Sequence, residues 1–309
     1  MNPHRFKAYI YLLIMAAIWG AAGPVIKFTL QGIPPFPFLA YRFAISAIFS
    51  VLFFTIFGIK LPKPKQNLPL ILLYGLMAFS IALGALFLGL EKTTVLDMTL
   101  ITLLGPLLVT VGGVIFFKDH ITKREKTGIA IIVSGATFTA ISPIVINHET
   151  LRLSGNLLII LFLFADSIAA LMAKRLVRQN ISSLTLINIG FIVGAFTIIP
   201  LTIFLYGYSE TINSIISLPL KYHLGVWYMA LLSGTLAYFL YVLGQKSIEV
   251  SEAALFRYLG PLFSIPLAIF WLGEKITIYF VIGAVLIVIG ITIAEYKRSL
   301  RPNGLKKKR

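Results

Sequence analysis

The chain has 309 residues, 58% hydrophobic and only 12% charged, with a formal net charge of +16 and no cysteine. Its mean hydropathy is +0.93. Soluble domains carry about a quarter charged residues, so this composition excludes an ordinary soluble enzyme or binding module, and the missing cysteine excludes disulfides and thiolate metal sites.

A helix needs roughly 20 apolar residues to cross a bilayer. Runs of that length place spans at 8–29, 38–59, 68–90, 95–117, 126–145, 155–174, 183–206, 223–244, 253–272 and 277–296. The first run follows His4, Arg5 and Lys7 and lacks a small-residue cleavage site, so it reads as a retained helix. The connections are short. Residues 33–37 are Pro-rich, 60–67 are basic, and 207–222 are modestly polar; none resembles a linker to a soluble domain. If the N-terminus is cytoplasmic, twenty of the 27 Lys and Arg fall on the cytoplasmic side, and only Lys92, Arg152, Lys221 and Lys275 fall opposite. That asymmetry places both termini inside. It explains the net charge as topology, with the basic tail 297–309 facing anionic lipid. Nucleic acid is not an expected partner.

The segment LGPLLVTVGGVIFFKDHIT from Leu104 recurs as LGPLFSIPLAIFWLGEKIT from Leu259, 155 residues later. Ungapped, the match pairs Gly105 with Gly260, Pro106 with Pro261, Gly128 with Gly283 and Gly135 with Gly290. It also pairs Asp97 with Glu252 and Asp119 with Glu274. The first copy's loop at 118–126 is basic, whereas the second's at 273–277 is nearly neutral, as expected if the two units face opposite sides. The expected fold is an all-α integral membrane protein. Ten transmembrane helices form two inverted five-helix repeats, 8–145 and 155–296, with N- and C-termini cytoplasmic.

Trp19-Gly20 followed by Lys27, Tyr41-Arg42-Phe43, the doubled LGP helix with its acidic turn, and a glycine-spaced last helix in each half together resemble the EamA family of the drug/metabolite transporter superfamily. The resemblance runs from about residue 8 to 295. The first copy departs from the pattern with Lys118-Asp119 where the second has Gly273-Glu274, a loop position. The resemblance implies ten helices, two inverted repeats, and export or exchange of small metabolites.

Pro106 and Pro261 are candidate hinges in spans four and nine, or else shape static packing. Less apolar stripes follow helical spacing: Thr99, Thr102, Pro106 and Thr110 in span four, Met77, Ser80, Gly84 and Phe87 in span three, and Gly234, Tyr238, Tyr241 and Gln245 in span eight. Such residues also mark helix–helix packing, as Gly190 and Gly194 do in span seven. Tyr238 and Tyr241 offer aromatic faces and hydroxyls to a partly apolar molecule; Trp19 and Tyr258 join them as candidate contacts.

Lys27 and Lys174 suit helix C-termini, and Asp97 and Glu252 suit helix N-termini. Arg42, about one turn into span two, can snorkel to the surface. Asp166 cannot, because it sits near the middle of span six. It must face the interior, pair with a cation or hold a proton. Arg257 matches Thr102 in the first copy, and this broken symmetry points to contact with a carboxylate or phosphate, with snorkelling as the alternative.

The candidate substrate site is thus Asp166, Arg257, Tyr238, Tyr241, Trp19, Thr102, Ser80 and Tyr258, in a cavity lined by spans one, three, four, six, eight and nine. No HExxH, P-loop or GxSxG is present and the histidines do not cluster, so no enzyme activity, metal or cofactor is expected. The expectation is a transporter working by alternating access. Its partners are a small-molecule substrate, an amino acid or related compound moved outward, and the lipid bilayer. A lipid-modifying membrane enzyme and a membrane protein without flux are the rivals.

Overall fold

The computed structural model describes residues 3–56, 67–117, 122–147, 150–245, 248, 253 and 256–295. Among these there is no strand. The helices are α1 (Pro3–Thr29), α2 (Pro35–Ile56), α3 (Leu68–Lys92), α4 (Val95–Thr102), α5 (Gly105–Phe117), α6 (Lys123–Asn147), α7 (Thr150–Arg178), α8 (Ser183–Tyr206), the short α9 (Tyr208–Ile216) and α10 (Leu220–Gln245). A 3-10 turn at Phe256–Leu259 leads into α11 (Gly260–Phe270), and α12 (Ile278–Glu295) ends the described chain.

Among the described residues, seven segments are long and apolar enough to cross a membrane: α1, α2, α3, the α4–α5 run, α7, α8 and α10. The segments Phe256–Phe270 and Ile278–Ala294 are shorter apolar helices. Large apolar side chains point outward, with Phe270 88% and Phe204 84% exposed. A surface of that kind is stable only in an apolar solvent. Glu252, Lys118-Asp119, the basic stretch 60–65 and the tail 297–309 lie outside the described residues.

Both copies of the repeated sequence interrupt their helix. α4 stops at Thr102, a turn at Leu103–Leu104 follows, and α5 begins at Gly105. In the second copy the 3-10 turn hands over to α11, with Pro261 in its first turn. Proline explains both breaks, because it lacks an N–H and its ring clashes with the carbonyl one turn back. A second irregularity is also duplicated. π-helical turns occupy Leu76–Ile81 within α3 and Tyr228–Leu236 within α10. Shifted by the repeat spacing, the first falls on 231–236, inside the second. Wide turns of this kind interrupt the regular hydrogen-bond ladder and recur at functional sites.

The repeated glycines form a seam between α6 and α12, which run antiparallel. Gly128 lies opposite Gly290 and Gly135 opposite Gly283. A Cβ on Gly128 would fall 2.6 Å from the Gly290 carbonyl oxygen, and one on Gly135 would fall 3.1 Å from that of Gly283. Only glycine lets the two backbones approach so closely. The GxxxG of α8 works differently. Gly190 seats the Phe79 ring and Gly194 the Phe43 ring, so aromatic knobs rather than another backbone fill these gaps.

The turn joining α3 to α4 and the first turn of α4 are held from three other parts of the chain. Lys27 at the end of α1 donates to the carbonyls of Leu90 and Thr93, both at 2.7 Å. It therefore caps the C-terminus of α3 rather than its own helix. The Glu274 carboxylate accepts from the backbone N–H groups of Val95 at 2.7 Å and Leu96 at 2.9 Å, capping the N-terminus of α4. Asp97 is gripped by the Arg152 guanidinium through Nε at 2.8 Å and Nη2 at 2.9 Å. Asn156 Nδ2 adds a third bond at 3.2 Å.

Candidate functional site

A cavity of about 240 Å3 lies among the helices where the irregularities converge. Its lining comes from α1, α3, α4, α5, α7, α10 and the 256–270 segment, and also from α2. Pro106 and Pro261 both border it, so each LGP break opens onto the same space. Thr99 and Ser264, from the two copies of the repeated unit, share a hydrogen bond of 2.7 Å at its edge.

Trp19 is the hub of one wall. Its indole N–H donates to the Ser233 carbonyl at 3.1 Å, within the π turn of α10. Tyr238 meets the indole edge-on at 5.0 Å between centroids, and Tyr241 lies 5.5 Å away on a tilt. Packing of this kind fixes the ring as a rigid apolar face. The Arg257 guanidinium sits 6.0 Å from the same ring. Arg257 Nη2 also lies 3.7 Å from Asp166 Oδ2. The two side chains are about two fifths and one third exposed, and since both line the cavity, that exposure is to its interior.

The geometry thus gathers Asp166, Arg257, Tyr238, Trp19, Thr102, Tyr258, Pro106 and Pro261 on one cavity. It does not bring two of the expected residues there. Ser80 turns toward α8 and meets the Thr197 hydroxyl at 2.5 Å. Tyr241 packs behind Trp19 rather than on the lining.

Arg42 is the reverse case. Read as a snorkelling surface cation, it is 2% exposed and lines the cavity. The helix begins at Pro35, three residues before the expected span, so Arg42 lies two turns inside rather than one. A proline ready to start a helix was the signal for that earlier boundary. The Arg42 guanidinium lies 5.6 Å from the Phe43 ring and 5.8 Å from the Phe87 ring.

Comparison with known proteins gives a consistent result. The sequence profile of the EamA-like transporter family matches residues 6–141 and again residues 153–295. A protein of Bacillus subtilis (strain 168) named "Uncharacterized transporter YyaM" is 28% identical, over 94% of each chain. A "Probable amino-acid metabolite efflux pump" of Salmonella typhimurium is 23% identical, over 94% of this chain and 97% of that protein. One of the same description from Escherichia coli (strain K12) is 22% identical, over 93% and 94%. One solved crystal structure shares the fold, with a TM-score of 0.63 at 16% identity over 96% of this chain and 99% of its own. With its outward-facing apolar helices, the chain is a multi-pass protein of the cell membrane and belongs to the EamA-like transporter family.

Proposed function

We propose that this protein is a secondary active or facilitated transporter that moves a small metabolite across the cell membrane by alternating access. The full architecture on this reading is ten membrane-spanning helices in two inverted five-helix repeats, 8–145 and 155–296, with both termini cytoplasmic. The antiparallel glycine seam between α6 and α12 supports the inverted arrangement, because equivalent helices of inverted units meet head to tail.

The observation that carries the proposal is the cavity itself. It lies at the proline breaks of both copies, holds the Asp166–Arg257 pair, and has the volume of a small metabolite rather than of a lipid or peptide. Trp19, Tyr238 and Tyr258 give it an aromatic wall, and Thr102 adds a hydroxyl. Rocking of one half against the other around this cavity would expose it to each side in turn. The names of the Salmonella and Escherichia relatives favour an amino acid or related compound as substrate and export as the direction.

Proteoliposomes holding the purified protein provide the test, using radiolabelled amino acids, sugars and organic cations. Saturable flux of at least one class, absent from protein-free liposomes, is expected. Flux no greater than the protein-free control across the whole panel would overturn the proposal.

A further inference from the structure

Arg42 is a full positive charge deep in a membrane helix, and among the described residues neither its Nε nor its Nη1 has a hydrogen-bond partner. Among the described residues, no ion pair reaches it. The rings of Phe43 and Phe87 flank it. Aromatic faces hold a guanidinium in place, but they leave its N–H groups unsatisfied. A buried cation left in this condition is among the costliest arrangements in a protein interior. An anion entering the cavity would supply the missing partner.

The rest of the lining identifies that partner by charge. Among the described residues, the cavity lining carries two arginines and one carboxylate. Asp166 and Arg257 face each other at 3.7 Å, which leaves the charge of Arg42 in excess. We infer that Arg42 is the anion-binding residue of the cavity and that the transported molecule carries a carboxylate, received by the Arg42 guanidinium while its less polar body lies against Trp19 and Tyr238. This rests on the transporter reading and extends it to a substrate class. The planar guanidinium fork suits a carboxylate in two-point contact, and no complementary ammonium site is needed. The carboxylate could therefore belong to a zwitterionic amino acid or to a simple organic acid.

The test uses the full chain purified in detergent and reads thermal stabilisation by ligand, which does not require flux. Matched sets of probes vary one group at a time: leucine, leucinamide, 3-methylbutylamine and 4-methylpentanoate, and the corresponding phenylalanine series. Wild type should be stabilised by the members bearing a free carboxylate and not by the amides or amines. Arg42→Gln should weaken that response at least tenfold in apparent affinity, and Arg42→Lys should restore part of it. A response to 4-methylpentanoate equal to that of leucine assigns the site to organic acids, and a response to leucine alone assigns it to amino acids; both sustain the carboxylate. Equal responses to all four members, a response to none in either series, or an undiminished carboxylate response in Arg42→Gln would overturn the assignment. Failure of the transporter reading is a separate outcome: carboxylate binding that depends on Arg42, with no flux of the same compound in proteoliposomes.

Discussion

The Asp166–Arg257 pair is set for exchange rather than for strength. Charge-assisted hydrogen bonds between such groups run at about 2.7–2.9 Å, and this contact is 3.7 Å long and open to the cavity. A solvent-accessible ion pair adds about 1 kcal/mol at most. Asp166→Asn should therefore shift the unfolding midpoint little while lowering flux at least tenfold or changing its pH dependence. Flux that matches wild type at every pH would remove Asp166 from the mechanism. Both charges stood out in the sequence because their depth within apolar runs rules out easy escape to water. Their pairing did not, since sequence gives depth along each helix but not which helices face one another across a gap of 91 residues. Ser80 was misplaced for a related reason. A 3.6-residue stripe assumes a regular helix, and the π turn at Leu76–Ile81 contains Ser80 and shifts the phase of that face.

At the scale of elements, the glycine seam and the clamped turn make distinct predictions. A methyl group on Gly128 or Gly135 would press on the opposing backbone. Either alanine substitution should destabilise the protein by about 1–3 kcal/mol, the cost of overpacking a tight contact, read as a lower unfolding temperature in detergent. Unchanged melting would mean that the seam is looser than described. Glu274 gives a pH signature. Burial pushes its carboxyl above the ordinary value of 4.5, and the two backbone N–H groups and Lys27 oppose that shift only in part. The structure with Glu274 tucked in therefore binds its proton more tightly than one with Glu274 released to water. By linkage, this stabilisation is fully present below 4.5 and is lost as pH rises through the raised value. The melting temperature of wild type relative to Glu274→Gln should accordingly fall as pH rises from 4.5 toward neutrality; a difference flat across that range would refute the assignment. The paired glycines were legible as a repeated motif in the last helix of each half; that the two helices pack on each other through them was not. The clamp was not, because Glu274 and Val95 are 179 positions apart and nothing local to either marks the other.

At the scale of the whole molecule, the duplicated sequence reappears as duplicated irregularity, in the two LGP breaks and the two π turns. The spans and the charge asymmetry could be read from the chain alone because lipid imposes both: span length on composition, and sidedness on Lys and Arg. The proposed sidedness predicts that a reporter active only in the cytoplasm gives full signal when fused to either terminus, and that one active only outside gives none. Opposite results at the two ends would require an odd number of crossings. The seam also bears on how the protein is made. Its two faces, around Gly128 and Gly283, emerge from the ribosome 155 residues apart, which at about 5–20 residues per second takes roughly eight to thirty seconds. On the proposed ten-span reading, α6 spends that interval in the membrane with its glycine face unmatched, until α12 is synthesised. On that reading the joint closes only once α12 has followed, and a ribosome stalled between α6 and α12 would leave it open.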